Sequence, residues 1–139
     1  MVTRRIDLLQ QLAIFGGASE ETLNLILKNS ECICRKPGEL FFQEHSHPDG
    51  MFVLESGTVE IYKTWEGEEF SLSQLHSGDC FGEMALVDLR GRSASVRAVD
   101  FCQAIMIPTK ALSEVAHQDV EQYALIYMNM GREICRRLR

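Results

Sequence analysis

From Glu31 to Pro108 the chain is cut by turn dipeptides into short runs, and this restricts its middle to β structure. Pro37-Gly38, Ser56-Gly57, Glu66-Gly67 and Ser77-Gly78 are such punctuation, as is His47-Pro48-Asp49-Gly50. Between and beyond them lie Cys32–Arg35, Glu39–Gln43, Met51–Glu55, Thr58–Thr64, Glu69–Leu75, Ser95–Val99 and Cys102–Ile107. The apolar, β-branched content of the last two suits buried strands. Glu66-Gly67 reads as a hairpin turn. Strands so closely spaced, joined by tight turns, predict a mainly β fold: an eight-stranded antiparallel jelly-roll β-barrel.

Helical periodicity frames this region on both sides. Ile6, Leu8, Leu9, Leu12 and Ala13 fit a short amphipathic helix that Gly16-Gly17 breaks. Ser19 is a good N-cap for a second helix carrying Leu23, Ile26 and Leu27, with Glu20 and Glu21 in its first turn. After Pro108, Thr109 is expected to cap a helix from Lys110 to His117, and a longer one is expected from Asp119 to Arg139. Val120, Tyr123, Tyr127, Met130, Ile134 and Leu138 repeat along it at helical spacing. Tyr123–Met128 is apolar almost all round, so a second cover is expected, and a homodimer through this helix would supply it. The expectation is a single domain over 1–139, with a helical segment 1–30, a β-barrel 31–108 and C-terminal helices 109–139.

Composition narrows the function classes. A net charge of −6 argues against nucleic-acid binding by bulk electrostatics. Arg132, Arg136, Arg137 and Arg139 read as a solvated helix end, where cations suit the helix dipole. No apolar run approaches membrane-spanning length and the N-terminus lacks a signal-peptide core, so a cytoplasmic protein with no membrane partner is expected. Five cysteines, an odd number, argue against a disulfide framework. The Cys32-Ile33-Cys34 pair lacks a second pair to complete a zinc site and reads as structural.

The segment Phe81–Val96 interrupts the strand pattern and carries the chemistry. Glu83 stands nine residues before Arg92. Gly82 opens a one-turn helix, Glu83-Met84-Ala85-Leu86, and Ser93 and Ala94 follow the arginine. A guanidinium forks onto phosphate oxygens, a carboxylate accepts from a sugar hydroxyl, and glycine lets backbone N–H groups approach a ligand. The same residue types also permit a Glu83–Arg92 salt bridge with no ligand, and residue types alone do not separate the two.

With these residues in view, the chain resembles the cyclic nucleotide-binding domain of catabolite-activator-type regulators, cyclic-nucleotide-dependent kinases and gated channels. Leu12–Phe15 with Ala18–Leu23, Lys36–Phe42 and Met51–Val59 are similar to its helical segment and first strands. Ser77–Leu86 with Arg92–Val96 is similar to its phosphate-binding cassette. The resemblance implies that Glu83 holds the ribose 2′-hydroxyl and Arg92 the cyclic phosphate. It also implies that backbone N–H groups around Gly82, Met84, Ala85, Ser93 and Ala94 complete the pocket. The implied ligand is cAMP ahead of cGMP, although a hydroxyl at Ser93 could also reach a guanine amino group. Base-capping candidates on the last helix are Tyr127, Asn129, Met130 and Ile134. The implied role is a sensor that signals through movement of that helix. In two places the sequence departs from the family. His45 stands where the turn usually has glycine, and no DNA-binding domain is seen in this chain.

His45-Ser46-His47 admits a metal-dependent cupin reading, since two imidazoles two apart on a strand can face one metal. The acid and third histidine of such a site have no counterpart in the sequence, so no metal is expected. No nucleophile elbow, P-loop or paired-carboxylate motif appears, so neither catalytic residues nor a cofactor are expected.

Overall fold

The computed structural model describes residues 2–86 and 90–138. Val87, Asp88 and Leu89, inside the expected cassette, lie outside the described residues, as does Arg139. The chain divides into a strand unit, Glu31–Met106, and a helical unit made of the residues up to Ser30 and those from Ile107 onward.

Among the described residues the strand unit holds eight strands: β1 (Glu31–Arg35), β2 (Leu40–Phe42), β3 (Gly50–Ser56), β4 (Thr58–Trp65), β5 (Glu68–His76), β6 (Cys80–Phe81), β7 (Ser95–Ala98) and β8 (Cys102–Pro108). They form two four-stranded sheets, ordered β1-β8-β3-β6 and β2-β7-β4-β5. This is the double-sheet jelly roll, and every pairing described is antiparallel. The expected closure into a barrel is corrected: the two sheets remain separate. Of their edge strands, β2 has three residues and β6 two, too few to carry a hydrogen-bond ladder from one sheet into the other. The β4–β5 hairpin turns at Glu66 and Gly67 with φ of 51° and 81°, the left-handed pair that a two-residue type I′ turn requires.

Alternation along the strands builds the core. Phe41, Phe52, Leu54, Val59, Phe81, Val96, Ala98, Cys102 and Ala104 point inward together. The Phe52 and Phe81 rings stack at 5.2 Å, and Phe41 stands edge-on to both, at 5.5 and 5.2 Å. Such pairs add about 0.5–1.5 kcal/mol each beyond area burial. Phe81 is thereby anchored in the core one residue before Gly82, and Val96 four residues after Arg92. The cassette is hung between two fixed strands.

In the helical unit are α1 (Val2–Gln10), α2 (Glu20–Lys28), α3 (Thr109–Gln118) and α4 (Val120–Leu138). Leu12 and Ala13, expected to extend the first helix, lie beyond its end, and a separate 3-10 turn spans Ala13–Phe15. The Ser19 hydroxyl caps α2 by accepting the Thr22 N–H at 3.1 Å. Pro108, not Thr109, occupies the position before α3 and makes no side-chain cap. The Asn129 amide donates to the carbonyls of Ile14, at 3.2 Å, and Gly16, at 2.9 Å, tying α4 to the 3-10 turn. Ile126 and Met130 are buried on the same side, whereas Val120 and Leu138 of the expected stripe are exposed. No helix among the described residues is long and apolar enough to cross a membrane.

Candidate functional site

Arg92 is the centre of the site. Only 6% of the residue is exposed, although it lies in a loop. Three strands bring groups to its guanidinium. Nη1 donates to the Gly82 carbonyl just after β6, at 3.0 Å. Nη2 donates to the Gly50 carbonyl at the start of β3, at 2.8 Å, and to Asp49 Oδ1 at 3.3 Å. From β2, Phe42 lies under the guanidinium carbon, 4.0 Å from the ring centroid. A register shift between Leu40 and Phe42 interrupts simple alternation on β2, and Phe42 packs against the core at the Phe52 and Phe81 rings while also facing the arginine.

The backbone of Arg92 is held as well: its N–H donates to Ser46 O at 2.9 Å, and its carbonyl accepts from His45 N–H at 2.7 Å. Gly82 sits at φ +74°, and a Cβ there would stand 2.7 Å from Arg92 Nη1. Glycine at 82 therefore lets the backbone take this conformation and lets the guanidinium lie against it.

The Nε donor of this guanidinium is unspent. Nε is buried and has no hydrogen-bond partner among the described residues. A buried unpaired N–H is costly, and a guanidinium with an open donor suits an oxygen-rich anion such as a phosphate. Burial lowers the Arg92 pKa; the Asp49 carboxylate and then Glu83 pull it back up, and burial outweighs them. An arginine in a protein keeps its proton, so Arg92 offers a charge that is poorly solvated.

The other cassette residues lie near Gly82 or Arg92 in sequence. Glu83 opens a 3-10 turn, Glu83–Leu86, and is 8% exposed. Met84 is exposed, Ser93 is exposed and Ala94 half-buried. Ala85 lies within the turn. Sequence reasoning missed Asp49 and Phe42. Asp49 looked like turn punctuation, and Phe42 like one more strand aromatic. Their convergence on a residue more than forty positions away leaves no local signal.

Asn129 and Met130 are buried inside the helical unit, and Tyr127 and Ile134 are half-buried there. Burial and the neighbouring Tyr123 push the Tyr127 hydroxyl up to about 12. His45 and His47 are exposed and follow β2 rather than lying on it, which removes the strand geometry behind the cupin reading. Among the described residues no three His, Cys, Asp or Glu side chains group as metal ligands. Cys102 fits the structural reading: it is buried and its thiol donates to Thr58 O at 3.1 Å. Cys32 and Cys34 do not fit it, because both are exposed.

Known proteins are similar to this chain in sequence and in fold. A model of the cyclic nucleotide-binding domain family matches residues 34–119. The cAMP-dependent protein kinase type II regulatory subunit of Drosophila melanogaster is 43% identical over 61 residues, which are 44% of this chain and 16% of that protein. The cyclic AMP receptor protein of Thermus thermophilus is 27% identical over 127 residues, 91% of this chain and 57% of that protein. The chain thus spans little more than half of one of these relatives and a sixth of the other. The N-terminal domain of a transcriptional regulator from Streptomyces coelicolor superposes with a TM-score of 0.85 at 19% identity, over 94% of this chain and 92% of that one, a likeness of fold. The family match covers both strands that anchor Arg92 and Gly82, and on that ground the chain belongs to the cyclic nucleotide-binding domain family.

Proposed function

We propose that this chain is a sensory module for a cyclic mononucleotide, with cAMP preferred over cGMP. The observation that carries the reading is the buried Arg92 guanidinium with its unspent Nε donor. In this reading the cyclic phosphate takes that donor and competes with Asp49 for Nη2. Glu83 accepts a hydrogen bond from the ribose 2′-hydroxyl, which explains an acid kept so near an anion site. Backbone N–H groups of Gly82, Met84, Ala85, Ser93 and Ala94 line the remainder. The preference for cAMP rests on the names of two relatives, a cyclic AMP receptor protein and a cAMP-dependent kinase subunit. Ser93 is exposed, which keeps cGMP as the second ligand. Calorimetric titration with each nucleotide tests this. Tighter binding of cGMP would reverse the preference, and binding of neither would remove the function.

The output in this proposal is a shift of α4 between two positions, one favoured by ligand, passed on through a homodimer. Val120, Ala124, Met128, Gly131 and Leu138 are all exposed on α4, and most of their spacings are the threes and fours of a coiled-coil seam. Sedimentation velocity should give a dimer that Met128→Glu with Leu138→Glu converts to monomer. A wild-type monomer at all concentrations contradicts the dimer without touching ligand binding.

A further inference from the structure

Cys32 and Cys34 lie on β1, at the open edge of the β1-β8-β3-β6 sheet. Ile33 between them packs against the hydrophobic core. Strand alternation then puts both thiols on the opposite face, side by side, and both are exposed. Their role is therefore not to fill the core.

The spacing of the pair restricts what it can bind. Two residues apart on a strand, the Cα atoms are about 6.6–6.8 Å from each other. That is the outer limit for a disulfide, whose usual Cα spacing is about 5.5–6 Å, so ring closure within the pair is disfavoured. Two thiolates sharing one ion at about 2.3 Å each need sulfurs about 4.6 Å apart in a linear arrangement, which rotation about the two Cα–Cβ bonds brings within reach. Zinc takes four protein ligands at a structural site, and no group of three candidate ligands exists among the described residues. Soft two-thiolate sets select Cu(I) instead.

We propose that Cys32 and Cys34 form a two-coordinate site for a soft, thiophilic cation of the Cu(I) class. The site stands apart from the nucleotide cassette. β1 is at one edge of its sheet, and β6, which leads into Gly82, is at the other. Three strand spacings separate them, about 14 Å. Binding releases the thiol protons, so uptake strengthens as pH rises.

The test titrates the reduced 139-residue chain without oxygen into the coloured Cu(I)–bicinchoninate complex. One Cu(I) per chain should be withdrawn. Cys32→Ser and Cys34→Ser should each weaken uptake by about 100-fold or more, because the second thiolate acts at high effective concentration. Both thiols are exposed, so circular dichroism should show these variants folded. Cys135→Ser should behave as wild type, and Zn(II) should be held far more weakly. Unchanged uptake in either single variant, equal loss in Cys135→Ser, or equally tight Zn(II) overturns the proposal.

Discussion

His45 donates its backbone N–H to the carbonyl of Arg92 over 2.7 Å while standing at φ +73°. The left-handed conformation costs an L-residue about 1–2 kcal/mol, and here it brings the turn after β2 against the backbone of Arg92. The return bond from Arg92 N–H to Ser46 O closes the stitch from the other side. His45→Gly should therefore keep the stitch and lose the strain. Glycine's greater freedom in the unfolded chain takes back about 0.5–1 kcal/mol, so the expected net gain is about 0.5–1 kcal/mol. Urea unfolding with an unchanged m-value measures it. A loss of stability would mean that the exposed imidazole, 3.6 Å from Glu44, does more than the backbone argument allows.

Gly82→Ala should damage the site more than the fold. The new Cβ would meet Arg92 Nη1 at 2.7 Å and the Phe42 ring at 3.1 Å, at a φ that side chains rarely adopt. The guanidinium is the softer neighbour and should move. We expect at least a tenfold loss of nucleotide affinity with about 1–3 kcal/mol of destabilisation. Isothermal titration and thermal melting separate the two effects.

Asp49→Asn should tighten cyclic nucleotide binding by about three- to tenfold, equivalent to about 1 kcal/mol. The Asp49 side chain is 70% exposed and the Gly50 and Gly82 carbonyls also hold Arg92, so the arginine keeps its place without the carboxylate. What the change removes is a negative charge 3.3 Å from Arg92 Nη2. Competition binding against a fluorescent cyclic nucleotide checks this. Weaker binding would make Asp49 a positioning residue.

Acid stability should depend on Glu60. Arg97 Nε and Nη2 donate to its Oε1 at 2.9 and 2.8 Å, Nη1 reaches Glu69 at 2.8 Å, and the guanidinium lies over Tyr62, clipping β7 to β4 and β5. The Arg97 hydrogen bond, then one from Ser71, hold the Glu60 pKa below its ordinary 4.5. A depressed carboxylate contributes stability above its unfolded pKa and loses it as pH falls through the folded one. Unfolding midpoints should therefore fall below about pH 4.5 more steeply in wild type than in Glu60→Gln. The difference should stay within about 1 kcal/mol, as for a surface pair.

Much of this was legible along the chain. The Glu66-Gly67 turn, the Ser19 cap and the short turn after Gly82 each depend on a few neighbouring residues, and each formed where the sequence put it. What escaped depends on contacts distant in sequence. Asp49, Gly50 and Phe42 meet Arg92 only because β2 and β3 bring them there. The exposure of Cys32 and Cys34 follows from β1 being an edge strand, which strand periodicity does not reveal. Closure of the barrel failed for a similar reason, since edge-strand length is set by where neighbours end.

The central claim is that Arg92 is held buried to receive a cyclic phosphate. Titrating cAMP into wild type and Arg92→Ala by calorimetry tests it most directly. Removing the charged partner of a buried phosphate should cost about 2–5 kcal/mol, or about 30- to several-thousand-fold in affinity. Equal affinity in the two proteins, with both folded, would contradict the account.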